Sequence, residues 1–518
     1  MNRAALAGLV LLLALGFALR APELRLRPLH NDEGVNAMKF RALYVDNNYK
    51  YNPDEFHGPT LPYFTLPAAW LQGGGDFNRF TEATYRSVTI AFGLGLILLL
   101  TLVAKDFGRA ETLWSAAFIA VSPAMVFYSR YYIHEMLLIF FSMAAFGCAW
   151  RYAKSGRAAW LAGTGMGIGA MYATKETFVF AAAAMVAAVV SANLWARFAR
   201  PSLEAFPAKW NWLHVIAAAA CALFTSVLFF TSFFTNRAGL ADAVRTYLPW
   251  IRRAGGATEH AHTWLFYFER LAWFHPKGGP VWSEGFILLL ASVGFIGALR
   301  GTSALPRIIA FYTLYLTLIY TALPYKTPWC LLGFYHGMIL LAGSGAVLLW
   351  RACGSIGAKA ALAALLAAGL GHLAWQDWRQ NFAVDAHGVP YCDSAKTPYV
   401  YSQTLPDALK LVETVNALIR VSGEGTNTQI EVMSQESYWP LPWYFRGLKA
   451  GYWDQIPNAP LTPIVISAAN LKAAFDDRPG HAHLMAGYYE LRPQVFLELY
   501  VNTNLWASYV KTLPKETE

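Results

Sequence analysis

The sequence predicts a polytopic α-helical membrane protein with an α/β domain outside the membrane at its C-terminal end. Composition is the first observation: 56% hydrophobic and 14% charged residues, at a mean hydropathy of +0.33, where an average soluble domain carries roughly 25% charge. The second is a series of apolar runs of span length, which fills residues 1–376. The third is the loss of that pattern over 377–518, where amphipathic and alternating segments take over.

A span needs about 20 mostly apolar residues. Eleven stretches qualify: 4–20, 86–104, 112–129, 133–150, 158–173, 177–196, 212–234, 284–300, 307–323, 329–350 and 358–376. The first follows Arg3 as a secretory signal would, but no small-x-small cleavage site comes after it, so it reads as a retained span. The fifth is short and carries Gly163, Gly165, Gly167 and Gly169, which suits close packing between other helices. With the N-terminus in the cytoplasm, each cytoplasmic loop holds at least two basic residues (Lys105 and Arg109; Arg151, Lys154 and Arg157; Arg197, Arg200 and Lys209; Arg300 and Arg307; Arg351 and Lys359). That satisfies the positive-inside rule. An odd number of spans places the C-terminal domain outside an inner (plasma) membrane. The net charge of +9 is spent in these loops, which argues against a nucleic-acid partner. Five scattered cysteines without a CxxC give neither a zinc site nor a disulfide framework.

The outer loops are 21–85 and 235–283, with short turns at 130–132, 174–176 and 324–328. Loop 21–85 reads as two interfacial helices, 35–44 and 59–71. In the tail, 406–421 has the spacing of an amphipathic helix, and 429–433, 463–467 and 495–501 read as strands. Between them lies the aromatic segment Tyr438-Trp439-Pro440-Leu441-Pro442-Trp443-Tyr444.

The unusual polar residues gather on the outer face. A transporter places ionisable groups near the midplane, on broken helices, whereas these spans are nearly free of them. An enzyme working at the outer interface fits better. Asp32 and Glu33 follow the first span, where charge is costly. A carboxylate there could act as a general base or hold a divalent metal; the competing reading is an acidic pair at a helix N-terminus. Asp54 and Glu55, with no span beside them, read as loop structure. His134 and Glu135 could complete an acid/base or metal site with Asp32, and Arg130 could meet a phosphate, against an aromatic belt with a snorkelling Arg. Lys175 in Thr174-Lys175-Glu176 could pair with a lipid-linked phosphate, or simply with Glu176 on a surface. Lys326, between Pro324 and Pro328, could bind the same phosphate or anchor a span end. Glu259, His260, His262 and His275 give a weak metal pattern.

In this order these residues resemble the GT-C class of membrane glycosyltransferases, which includes protein O-mannosyltransferases, the lipid A aminoarabinose transferase and oligosaccharyltransferases. The matching segments are Asp32-Glu33, His57-Gly58-Pro59-Thr60-Leu61-Pro62-Tyr63, Tyr85-Arg86, Ser122-Pro123, Tyr128-Ser129-Arg130, Glu135 and Thr174-Lys175. Gly58 departs from the class by replacing a proline, and Glu135 stands where relatives often have Asp. More closely, the chain is similar to the flippase activity-associated protein family of archaeal N-glycosylation, which has bacterial members. His30-Asn31-Asp32-Glu33-Gly34, Tyr325-Lys326-Thr327-Pro328-Trp329 and the aromatic segment carry that match.

The resemblance implies a GT-C-like module over 1–376 and an extracytoplasmic α/β domain over 377–518. It implies inverting transfer of a sugar from a polyprenyl-phosphate donor to a protein, lipid or glycan acceptor on the extracytoplasmic face. Asp32 is then base or metal ligand, with Glu33 and Glu135 orienting the acceptor or sharing a metal (Mg or Mn). Lys175, Arg130 and Lys326 hold the donor phosphate, and His57, His134, Tyr131 and Tyr325 contact acceptor or sugar. The alternative is a flippase, or flippase accessory, for polyprenyl-linked sugars.

Overall fold

The structure is a computed structural model that describes residues 2–55, 57–72, 74–199, 203–206, 211–254, 260–477 and 482–514. All eleven apolar stretches form helices. Eight are long and apolar enough to cross a membrane: Arg3–Arg20, Glu82–Leu102, Glu135–Ser155, Phe178–Ala199, Trp212–Phe230, Ala304–Ala322, Pro328–Ala352 and Ile356–Phe382. Ala158–Tyr172 and Gly285–Arg300 are shorter. The chain is a multi-pass membrane protein. The glycines of Ala158–Tyr172 pack closely between two helices, as their spacing predicts: Gly165 and Gly169 face Trp212–Phe230, where a Cβ on Gly165 would lie 2.0 Å from the Ala218 carbonyl oxygen, and Gly163 and Gly167 face Glu135–Ser155.

The stretch 112–129 is not one straight span. It breaks between Arg109–Val121 and Pro123–Ser129, bent by 61°. Pro123 has no N–H to offer the Ile119 carbonyl. The Ala124 N–H, which a continuous helix would give to Ala120, donates instead to Glu284 Oε1 at 2.8 Å. Arg20 takes both orphaned carbonyls, with Nη2 donating to Ile119 at 2.7 Å and Nη1 to Ala120 at 3.0 Å. Ser122 and Tyr335 hydroxyls donate to Glu284 Oε2, each at 2.6 Å. A backbone break inside a membrane bundle persists only where its freed groups find such partners.

The first outer loop holds helices Asn31–Tyr44 and Thr60–Leu71. The first starts four residues earlier than its apolar spacing suggests, because His30 caps it. The His30 ring accepts from the Asp32 N–H at 3.1 Å, and the Glu33 carboxylate accepts from the His30 N–H at 3.0 Å. This reciprocal arrangement satisfies donors the first turn would otherwise leave open.

The eleventh apolar helix runs on to Phe382, past the expected boundary at 376, and the tail then folds around a five-stranded sheet. Its strands are β1 (Gln429–Met433), β2 (Lys449–Trp453), β3 (Ile464–Ala468), β4 (His483–Arg492) and β5 (Val495–Asn502), in the order β2-β1-β3-β5-β4. β1 pairs in parallel with β2 and β3, and β5 runs antiparallel to β3 and β4. Helix Asp407–Val421 packs on the sheet through Leu411, Val415 and Leu418. The expected helix and three strands are present; β2 and β4 are additional.

The aromatic segment joins this domain to the first outer loop. Trp443 sits in one apolar cluster with Phe40, Phe77, Phe80 and Tyr85. The Tyr444 hydroxyl accepts from the Leu29 N–H at 3.0 Å and donates to Glu82 at 3.2 Å. Arg446 donates to the Asn78 and Phe80 carbonyls at 2.9 and 2.8 Å. Beside this joint, Pro440 lies so close to Gly34 that a Cβ there would come within 2.6 Å of the proline Cβ. Gly34→Ala is expected to push the segment off its seat at a cost of about 1–3 kcal/mol, the usual range for overpacking. Thermal unfolding and limited proteolysis of the C-terminal domain would measure this; an unchanged melting midpoint and cleavage pattern would refute it.

Candidate active site

The neighbouring acids Asp32 and Glu33 have opposite surroundings. Glu33 is fully buried and accepts four hydrogen bonds: Arg86 Nε at 2.8 Å, Arg86 Nη2 at 2.7 Å, His30 N at 3.0 Å and Tyr132 N at 2.9 Å. Arg27 lies a further 3.7 Å from its Oε2. Arg86 spends its three other N–H groups on the carbonyls of Leu24, Arg27 and Pro28. Every lone pair of the carboxylate is engaged, so Glu33 has no capacity to take a proton from a substrate. Burial alone would raise its pKa, but the Arg86 and Arg27 guanidinium groups outweigh that and hold it at about 2.

Asp32, on the same helical turn, lines a cavity of about 490 Å³, and its side chain is 35% exposed. Its oxygens lie 3.2 Å from the Asn31 amide and 3.9 Å from His30 Nδ1. The second contact is not a full ion pair. His30 Nδ1 already accepts from the Asp32 N–H, and Nε2 lies 3.1 Å from the Tyr401 carbonyl, an acceptor. The ring proton is therefore on Nε2 and the ring is neutral. Burial lowers the His30 pKa in the same sense.

A short backbone ladder builds another part of the cavity wall. His57 pairs with Lys175, the Gly58 N–H donates to the Thr174 carbonyl at 3.0 Å, and the Thr60 N–H donates to Ala173 at 3.2 Å. Gly58 is required here: a Cβ would fall 2.1 Å from the Ala173 oxygen. The ladder sets His57, Lys175 and Glu176 along one wall, with His57 Nδ1 3.4 Å from Glu176 Oε2. The Lys175 ammonium is bound by Glu135. Burial works to discharge it, but Glu135 outweighs burial and holds the lysine pKa above its ordinary value. Behind Lys175 opens a narrow apolar slot lined by Leu138, Ile139, Met143, Leu316 and Leu340. Lys175, Thr177, Tyr320, Trp329 and Cys330 line both spaces.

Asp32, His57, Lys175 and Tyr325 thus share the cavity, with Glu135 beside it through Lys175. Other candidates point elsewhere. Arg130 donates to the carbonyls of Arg20, Pro22 and Glu23 and stacks on Phe382, 4.7 Å from the ring centroid. It clamps the chain after the first span. Lys326 Nζ donates to the Leu323 and His262 carbonyls. Tyr131 is buried among His30, Phe127 and Trp329. His134 Nε2 donates to the Gly58 carbonyl at 3.0 Å and so props the ladder. His260 Nδ1 meets the Tyr401 hydroxyl and the His262 ring stacks on Phe266, while Glu259 lies outside the described residues. Of the pair expected to share a metal, Asp32 lines the cavity and Glu135 holds the Lys175 ammonium. No group of three His, Cys, Asp or Glu converges among the described residues.

Several cavity residues had no sequence signal strong enough to single them out: Asn36, Lys39, Asp54 and Trp439. Asp54, read above as loop structure, faces the same space as Asp32; its place three residues before His57 was the available hint. Asp393 was also missed. It is 1% exposed, and neither of its oxygens meets a hydrogen-bond partner among the described residues. Burial pushes its pKa up to about 8.

Comparison with known proteins places the fold. Residues 10–238 match the family model described as dolichyl-phosphate-mannose-protein mannosyltransferase (PMT). No curated protein sequence matches the chain. Among solved structures, ArnT from Cupriavidus metallidurans bound to undecaprenyl phosphate is similar at a TM-score of 0.61 and 12% identity, over 96% of this chain and 98% of that one. The Archaeoglobus fulgidus oligosaccharyltransferase, tethered to an acceptor peptide, is similar at 0.55 and 12% identity over 88% of this chain. The chain spans 64% of the length of that archaeal enzyme. The same oligosaccharyltransferase is also solved in complex with Zn and sulfate. These are GT-C glycosyltransferases, and this chain has their fold, with the PMT match confined to its N-terminal part.

The two buried acids predict opposite pH responses. Glu33 has a folded pKa below its ordinary 4.5, so its contribution is full above that value and is lost as pH falls toward about 2. Melting midpoints should drop across that window. Arg86→Met, which strands the carboxylate, is expected to cost about 3–5 kcal/mol at neutral pH. Asp393 has a folded pKa above its ordinary 3.8, so its contribution is present below 3.8 and is lost as pH rises toward about 8. Asp393→Asn should therefore flatten the loss of thermal stability between those values; a profile parallel to wild type would contradict this.

Proposed function

From a PMT domain set in the GT-C fold, we propose that the protein is a membrane glycosyltransferase that moves a sugar from a polyprenyl-phosphate donor to a hydroxyl- or amide-bearing acceptor, with inversion at the anomeric carbon. One observation carries the reading: a carboxylate left open, Asp32, and a charge-held ammonium, Lys175, face the same cavity, with an apolar slot behind the ammonium.

In this reading the polyprenyl chain lies along the slot and its phosphate meets Lys175. The acceptor attacks the anomeric carbon from the Asp32 side. The new bond forms as the carbon–oxygen bond to phosphate breaks, Asp32 takes the acceptor's proton, and polyprenyl phosphate leaves with its charge offset by Lys175. Glu33 has no chemical step; it orients the turn that carries Asp32. Charged groups buried within the bundle support transfer over translocation. Arg20 and Glu284 are consumed by the helix break, and Arg307 by the carbonyls of Glu204, Gly301 and Thr302. None of these three lines the cavity or the slot.

Asp32→Asn is expected to lower transfer by at least about 100-fold, the usual lower bound for loss of a general base, with unchanged melting. The assay is glycan transfer in membranes supplied with the lipid-linked donor; wild-type rates in that mutant would remove Asp32 from the chemistry. We take the cavity face as extracytoplasmic from the basic loops on the opposite face. In a cysteine-free background, a cysteine at Asn47 should react with an impermeant reagent added outside intact cells and one at Ser155 should not. The reverse pattern would invert the topology.

A further inference from the structure

The aromatic segment of the C-terminal domain holds two tryptophans in different states. Trp443 is 2% exposed and packed between the domain and the first outer loop. Trp439, four residues earlier, is half-buried and lines the Asp32 cavity. It is the one cavity residue contributed by the C-terminal domain among those described.

Its position is set from both sides. The ring edge lies against Gly34, where a Cβ would be 3.4 Å from Trp439 Cε3, and Pro440 fills the remaining room at 2.6 Å. The Ser437 hydroxyl donates to the Asn31 side-chain oxygen at 2.6 Å, tying the strand of chain before Trp439 to the residue before Asp32. An indole that lines the cavity is thus fixed against Gly34, two residues after the proposed base. Around the same space stand Asn36, Asp54, His57 and Glu176, groups that hydrogen-bond to hydroxyls. A large, flat apolar surface ringed by polar groups suits a ligand with an apolar face and a polar rim. A pyranose or furanose ring has that character; a polyprenyl tail and a phosphate do not.

We propose that Trp439 is the platform on which the glycosyl group of the donor stacks, so that the C-terminal domain reads the sugar at the catalytic cavity. The inference rests on the donor reading above and goes beyond it by assigning sugar selection to a residue outside the membrane module. It also gives Gly34 a purpose: any side chain there would displace the platform.

The test measures binding of two kinds of probe to the purified full-length protein in lipid nanodiscs. One is undecaprenyl phosphate. The other is undecaprenyl phosphate carrying glucose, galactose, mannose or arabinose. Wild type should bind at least one glycosylated lipid about tenfold more tightly than the bare lipid, the scale of one aromatic contact. Trp439→Ala should reduce that preference to within about twofold while leaving affinity for bare undecaprenyl phosphate unchanged, and Trp439→Phe should keep most of it. An undiminished preference in Trp439→Ala overturns the inference. So does an equal loss of affinity for bare and glycosylated lipid, which marks a packing role. A wild type that binds both lipids equally overturns it while sparing the donor reading; a wild type that binds neither overturns both.

Discussion

Glu33 and Arg86 are the contact from which the outer half of the molecule is arranged. The pair joins a helix of the first loop to the start of the second span, and its remaining bonds reach the Tyr132 turn and the carbonyls of residues 24–28. A buried ion pair adds little net stability, because desolvation cancels most of the attraction, yet breaking one strands a charge. What the pair supplies is geometry. Successive helical residues project about 100° apart. With Glu33 locked into the interior, Asp32 is turned out of it and into the cavity. The fully bonded acid determines where the open one points.

The broken span adds a second constraint. Pro123 and the loss of the Ala124 donor leave two carbonyls unpaired, and Arg20 from the end of the first helix answers both. That fixes the first span against the third just before the chain enters the first outer loop. The turn after the break returns Tyr132 to Glu33 and leads into Glu135, which holds Lys175. The break therefore carries the chain from the structural ion pair to the cationic end of the cavity in a few residues.

Much of this architecture is legible in the sequence, and the limits have physical causes. Hydropathy located all eleven apolar helices, because hydrocarbon imposes one requirement on every span. It could not show the break, since proline is tolerated in membrane helices and the compensating Arg20 lies about a hundred residues away. The resemblance assigned the base to Asp32, but residue chemistry alone did not separate it from Glu33: the difference depends on Arg86, which the motif contained without revealing its partner. Arg130 and Lys326 looked like anion binders because sequence shows charge and not the carbonyls that consume it. Strands β2 and β4 escaped notice because Gly451 and Gly487 interrupt their alternation, and β4 carries a register shift at Met485/Gly487.

Lys175 shows how the site reconciles opposed demands. A lysine beside an apolar slot tends to lose its proton, and a neutral amine could not offset the departing phosphate of the proposed transfer. Glu135 prevents that, but a carboxylate that fully enclosed the ammonium would also exclude an anion. The two are separated by placement. Glu135 lines the slot, whereas Lys175 lines both slot and cavity, so the residue that carries the positive charge borders the cavity and its counter-ion does not. The ladder from His57 to Thr60 keeps it there, and that ladder closes only because residue 58 lacks a side chain. The departure of Gly58 from the proline of the wider class is therefore part of how this chain positions its cation: a smaller residue lets two backbones meet, and their meeting sets the part of the cavity wall that carries Lys175.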